Sequence, residues 1–168
     1  MTKVTTQKIT PFLWFVKGAE DAAAYYTSVF KNGKIISTQR YPEAAVEVAG
    51  MPAGSVMTVE FEVEGMTFVG LNGGPIEGFT FSPATSFVVN CETQEEIDYL
   101  WEKLSAVPEA EQCGWCKDKF GITWQIVPTV LNELLSDSDS AKVGRVTKAF
   151  MQMKKFDIAE LKKAYEGK

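Results

Sequence analysis

The sequence predicts an α+β chain in which a strand, a helix and a set of strand hairpins occur in that order twice, followed by C-terminal helices. Three observations carry this reading. Met57, Val59, Phe61 and Val63 alternate with Thr58, Glu60, Glu62 and Glu64, the two-residue period of a half-buried strand. Ile97, Leu100, Trp101 and Leu104 fall at i, i+3, i+4 and i+7, one face of an α-helix. Residues 1–136 hold 9 basic and 17 acidic side chains whereas residues 137–168 hold 8 basic and 5 acidic, so body and tail carry opposite net charge.

The first stretch opens with a strand over 9–16, turns at Gly18 and continues as a helix over 20–30, with Ala22, Tyr26, Val29 and Phe30 on one side. Residues 34–41, rich in β-branched side chains, form the next strand, and the alternating strand around Met57–Val63 follows. Glu64-Gly65 turns the chain into a hairpin partner over 66–71, which Asn72-Gly73-Gly74-Pro75 stops. The second stretch begins with a strand over 85–91 and a helix capped by Thr93. Two strands, about 111–117 and 122–127, are joined by the turn Asp118-Lys119-Phe120-Gly121. Ser136-Asp137-Ser138-Asp139-Ser140 then supplies a turn and a helix N-cap. Val143, Val146, Phe150 and Met153 keep helical spacing beyond it, and Asp157 caps a last helix with Ile158, Leu161 and Tyr165 on its apolar face. The organisation expected is one domain over 1–136, with module one about 9–75 and module two about 84–128, and a helical tail over 137–168. The tail's basic charge either docks it on the acidic body or a partner subunit, or is an ordinary solvated face.

With 168 residues, 45% of them hydrophobic and 23% charged, the chain has the composition of a globular protein able to bury a core without metals or disulfides. Its longest clean apolar runs, such as 12–16, are far below the ~20 residues of a membrane span. A net charge of -5 has the wrong sign for a nucleic-acid or anionic-membrane partner. Three cysteines in so long a chain suit a reducing, cytoplasmic compartment. The chain has no histidine, which excludes Ser-His and Cys-His catalytic pairs and every imidazole metal ligand.

Six segments together resemble the PhnB-like group, often labelled 3-demethylubiquinone-9 3-methyltransferase-like, of the vicinal oxygen chelate superfamily, which holds glyoxalase I, bleomycin-resistance proteins and extradiol dioxygenases. They are Leu71-Asn72-Gly73-Gly74-Pro75, Ser86-Phe87-Val88-Val89, Gln94-Glu95-Glu96-Ile97-Asp98, Cys113-Gly114-Trp115, Asp118-Lys119-Phe120-Gly121 with Trp124-Gln125-Ile126-Val127-Pro128, and Asp157-Ile158-Ala159 through Tyr165. The resemblance runs from about residue 9 to the C-terminus. It implies paired βαβββ modules of the glyoxalase/bleomycin resistance fold, forming curved mixed sheets around a cavity, commonly in homodimers.

Active relatives hold a divalent metal there with four side chains, typically His and Glu, one from each of four strands. Carried over, the last of these positions, a Glu four residues after the Gly of an Asp-x-x-Gly turn, is Gln125. The first falls near Pro11, and the other two near Ser86 and near Gly70–Asn72. None supplies the imidazole, thiolate or carboxylate that a transition metal needs at about 2.0–2.3 Å. The expected site therefore contains no metal and requires no cofactor. Asn72, Ser86, Thr123 and Gln125 are the candidate polar groups of a ligand-binding cavity, with Thr123 and Gln125 on one side of their strand and Trp124 and Ile126 on the other.

Other constellations have structural readings. Cys113-Gly114-Trp115-Cys116 has redox spacing, but it precedes a strand rather than opening a helix. Glu60 and Glu62 could split their pKa values and do acid-base work, or be solvated edge charges. Asp118 is first a turn residue. Methyl transfer from S-adenosylmethionine commonly uses a Gly-rich turn in a Rossmann-like sheet, and no G-x-G-x-x-G occurs here. The reading that follows is a metal-free homodimeric small-molecule binder with no catalytic residue assigned. The alternative is an enzyme, either a metal-dependent lyase, isomerase or dioxygenase, or a methyltransferase.

Overall fold

The computed structural model describes residues 7–168, which divide into two compact units, 7–79 and 80–168. The first unit contains β1 (Phe12–Phe15), α1 (Ala19–Val29), β2 (Lys34–Arg40), α2 (Val46–Ala49), β3 (Val56–Val63) and β4 (Met66–Asn72). Its four strands are ordered β1-β4-β3-β2, with β1 parallel to β4 and the other neighbours antiparallel. The alternation in β3 sets the layering: Val59, Phe61 and Val63 are buried under α1, while Thr58, Glu60 and Glu62 face the other way. Tyr26 of α1 stacks on Phe61 at 6.0 Å between ring centroids, and Phe61 on Phe68 at 5.5 Å, which ties helix to sheet through one aromatic column.

The second unit contains β5 (Phe87–Cys91), α3 (Gln94–Leu104), β6 (Trp115–Lys117), β7 (Thr123–Pro128), α4 (Thr129–Leu135), α5 (Ser140–Phe150) and α6 (Ile158–Glu166). Its three-stranded sheet is ordered β5-β7-β6, again with one parallel and one antiparallel pair. Thr93 caps α3 by accepting from the Glu96 amide at 3.2 Å, and Ile97, Leu100 and Leu104 form its buried stripe. Asp139 and Asp157 cap α5 and α6 as their positions predict.

Two departures from the sequence reading have local causes. The strand expected over 111–117 shortens to three residues, because Cys113 and Gly114 both take left-handed backbone, at φ 49° and 80°. Gln112 and Trp115 exchange two backbone hydrogen bonds of 2.8 and 3.1 Å across them, making a tight hairpin of the type that demands positive φ at both central positions. Residues 129–135, to which the periodicity assigns nothing, form α4 and bury Leu131 and Leu134.

The tail is part of the second unit. Its segment between α5 and α6 lies along the 113–114 turn, where Cys113 and Gly114 donate to the carbonyls of Met153 and Lys154 at 2.8 and 2.7 Å. Phe156, 2% exposed, lies so close to Gly114 that a Cβ there would meet its ring at 2.4 Å. Lys154 pairs with Glu111 at 3.2 Å and Lys155 with Asp98 at 2.5 Å, so the opposite charges of body and tail do meet. These pairs are exposed and add little individually. Burial of the Phe156 ring is the larger contribution, and Phe156→Ala is expected to destabilise the second unit by about 3–5 kcal/mol. Denaturant titration followed by tryptophan fluorescence reads this loss; an unchanged midpoint contradicts it.

Candidate functional site

Strand register decides which side chains of the second unit can meet a ligand. On β7, Trp124 and Ile126 are buried, and their partners Phe87, Val89 and Cys116 share their face. That face packs against α3. Thr123 and Gln125 point the other way, in line with Val88 on β5 and with Trp115 and Lys117 on β6. Ser86 immediately precedes β5 on this same face, and Gln125 Nε2 donates to its Oγ at 2.8 Å. The structure thus brings Ser86, Thr123 and Gln125 together, two directly and the third one step along the strand.

Thr123 is 5% exposed, and its hydroxyl is buried without a hydrogen-bond partner. A buried polar group in this state costs about 1–3 kcal/mol, so it marks a place where a further polar group would be gained at a benefit. Asn72 lies in the first unit and is 4% exposed. Its Oδ1 accepts from the Ala19 amide at 2.8 Å, and its Nδ2 donates to Glu20 Oε2 at 2.7 Å and to the Val56 carbonyl at 3.1 Å. Tyr41 donates to its backbone carbonyl at 2.7 Å. Asn72 therefore braces the β1-to-α1 corner from the end of β4. Next to it, Gly73 has no Cβ because one would collide with the Trp14 ring at 2.2 Å, and Trp14 Nε1 donates to the Gly74 carbonyl at 3.0 Å.

Asp118 is 2% exposed and serves the turn, as its spacing to Gly121 predicts. Its Oδ1 accepts from the amides of Phe120 and Ile122 at 2.8 and 3.0 Å, and its Oδ2 from Trp124 Nε1 at 2.7 Å. This fixes the start of β7 and so the aim of Thr123 and Gln125. Glu60 and Glu62 are half-buried on the face of the first sheet turned from α1: Glu62 pairs with Lys34 at 2.7 Å and Glu60 accepts from Ser37 Oγ at 3.1 Å.

The metal chemistry of the superfamily does not fit these residues. Pro11 offers only its carbonyl, which accepts from the Val69 amide at 3.0 Å, and Gln125 offers a neutral amide, its Nε2 donating to Ser86 Oγ, where a carboxylate would be needed. Among the described residues, no three His, Cys, Asp or Glu side chains form a group able to hold a metal ion. Neither mixed sheet supplies the parallel Rossmann framework that commonly seats S-adenosylmethionine, so no methyl-transfer step follows from the geometry.

The family assignment rests on a direct match. A family model described as 3-demethylubiquinone-9 3-methyltransferase covers residues 7–127, which include β1 through most of β7. The chain belongs to this family. Among solved structures, the PhnB protein of Bacillus cereus, provisionally described as a 3-demethylubiquinone-9 3-methyltransferase, is 36% identical. The alignment covers 73% of this chain and 100% of that one, with a TM-score of 0.60. A protein from Pseudomonas aeruginosa shares the fold at 17% identity, 73% and 98% coverage and a TM-score of 0.54. No curated protein matches the chain. The fold is therefore α+β of the PhnB-like glyoxalase type, with C-terminal helices, as the sequence motifs imply. The family match ends at 127, short of the C-terminal extent of the resemblance read from the sequence. Among the described residues, no helix is long and apolar enough to cross a membrane.

Lys117 and Trp115 are members of this face that sequence reasoning did not select. Their signal was available in the alternation of Trp115 and Lys117 about Cys116, but it needed the 113–114 turn to fix the strand's start. Cys116 itself points inward and is fully buried. Burial, then the charges of Asp118 and Glu111, push its thiol up to about 12; burial and the Glu96 charge do the same to Cys91. A thiol so held is a poor nucleophile, and the Cys113–Cys116 pair leads into a strand instead of opening a helix whose dipole would activate the first thiol. In the unfolded chain these thiols ionise above about pH 9, whereas the folded state keeps them neutral. Their contribution to stability is whole below that pH and lost as pH rises towards 12. Stability measured by denaturant titration from pH 8 to about 11 is expected to fall more steeply for the native chain than for Cys91→Ala/Cys116→Ala. Equal slopes contradict it.

Proposed function

We propose that this family member is a metal-free homodimeric binder of a small organic molecule, acting in the cytoplasm and without a nucleic-acid partner. The ligand is held in a cavity by shape and by the polar groups Ser86, Thr123 and Gln125, with Asn72 bracing the first unit. The two modules work as one ligand-binding domain and residues 137–168 as its helical tail. The observation that carries the reading is the hydrogen bond from Gln125 to Ser86. At the position where active superfamily members place an acidic metal ligand, this chain has an amide engaged with a hydroxyl. Amides and hydroxyls recognise carbonyl, hydroxyl and carboxylate groups well and grip transition metals poorly.

Self-association has its own support. β2 is a sheet edge, and all seven of its residues are exposed, Ile35 and Ile36 among them. A long edge with apolar side chains favours pairing with another chain. The three free cysteines suit a reducing compartment. The family's methyltransferase description favours the alternative, an enzyme, and metal-dependent lyase, isomerase or dioxygenase chemistry is its other form.

Thermal shift of the full chain against a library of small neutral and charged organic compounds tests the binding reading. A ligand specific for the folded state raises the melting temperature, by about 2.7 kcal/mol of stabilisation at a hundredfold excess over Kd. Hits lost in Gln125→Ala are expected. No hit, together with turnover in a lyase, dioxygenase or methyl-transfer assay, overturns the reading. Elemental analysis of the purified protein is expected to find no stoichiometric Ni, Zn, Mn or Fe. Light scattering is expected to give twice the 18.6 kDa chain mass, and a monomer counts against the dimer.

A further inference from the structure

Lys117 changes what the polar face of the second unit can recognise. It is half-buried and paired in register with Thr123; its carbonyl accepts from the Ala106 amide at 2.9 Å, while its ammonium has no ion-pair or hydrogen-bond partner among the described residues. Nearby lysines are engaged otherwise: Lys103 with Glu102, and Lys119 over the Phe120 ring. A half-buried lysine whose ammonium meets no carboxylate, in a body stretch whose acidic side chains outnumber the basic ones 17 to 9, is open to a counter-charge. Beside it lies the buried, unpartnered hydroxyl of Thr123, which a turn about its Cα–Cβ bond presents to the same spot. Ser86 Oγ accepts from Gln125 and keeps its own hydrogen to donate. One ammonium and two hydroxyl donors on a single face match the lone pairs of a carboxylate.

Beside the polar groups, which include Gln125 and the exposed Asn90, the face carries apolar side chains. Trp115, in register with Gln125, offers an indole, and Val88, 53% exposed, flanks the same row from β5. From these residues we propose that the ligand is a small aromatic carboxylate, its carboxylate held by Lys117, Thr123 and Ser86 and its ring laid against Trp115 and Val88. The inference rests on the binding reading above and deepens it: Lys117 sets the ligand's charge, and the indole sets its planarity.

The test is calorimetric titration of the full chain with benzoate, phenylacetate and indole-3-acetate, each beside its neutral primary amide. At least one carboxylate is expected to bind about tenfold or more tightly than its amide, a preference that weakens as salt rises. Lys117→Gln is expected to erase the preference, and Lys117→Arg to retain most of it. Thr123→Val removes only the hydroxyl, so it is expected to weaken carboxylate binding several-fold while the melting temperature holds or rises. Amides bound as tightly as their carboxylates, no carboxylate bound at all, or Lys117→Gln binding like the native chain overturns the proposal. Should the thermal-shift library yield neutral ligands that depend on Gln125 while every carboxylate fails here, the binding reading stands and the charge assignment alone falls.

Discussion

The two-residue alternation along β7 is the constraint on which the second unit depends. It drives Trp124 and Ile126 into the core beneath α3 and leaves Thr123 and Gln125 on the opposite face. A slip of one residue would place an amide and a hydroxyl in the apolar core and two large side chains outside it. The register is pinned at its start by Asp118, whose carboxylate accepts from two turn amides and from the Trp124 indole. It is flanked on one side by the 113–114 turn. The polar face is thus a consequence of core packing, and its composition is fixed by the same pattern that stabilises the fold.

The C-terminal helices bear on the same place from behind. Phe156 fills the space over Gly114, and the carbonyls of Met153 and Lys154 take up the two turn amides that β6 cannot use. Gln94 binds both ends of the Phe156–Ile158 crossing, donating to the Phe156 carbonyl at 3.0 Å and accepting from the Ile158 amide at 2.9 Å. Charge pairing between tail lysines and body carboxylates accompanies this packing and follows it in magnitude. The family match ends at 127, so this buttress lies outside the segment that the family model describes.

Much of the architecture was legible in the sequence, because alternation in β3 and helical spacing in α3 are strong periodic signals and Thr93, Asp139 and Asp157 are chemically specific caps. The turn at Cys113-Gly114 was not, since cysteine is an unusual residue at positive φ and the pairing of Gln112 with Trp115 is a tertiary fact. Helix α4 was hidden by Pro128, which reads as a stop when it is the residue before a helix. Sequence reasoning reached Ser86 and Gln125 through family position and Thr123 through strand alternation, and the structure places the three on one sheet face. Asn72 was proposed on the same basis, and its three side-chain hydrogen bonds within the first unit could not be read from spacing. Lys117 escaped because a lone lysine carries no sequence signal; its meaning comes from having no partner among the described residues.

Loss of metal chemistry is the central claim, and it turns on whether Gln125 and Ser86 behave as a hydrogen-bonded pair or as ligands. Addition of Mn2+ to protein labelled at its glutamine side-chain amides, followed by nuclear magnetic resonance, separates the two most directly, because a bound paramagnetic ion broadens nearby signals. The account predicts that the Gln125 amide signal broadens no more than those of surface glutamines. Selective disappearance of the Gln125 signal at stoichiometric Mn2+, reversed by a chelator, would contradict it.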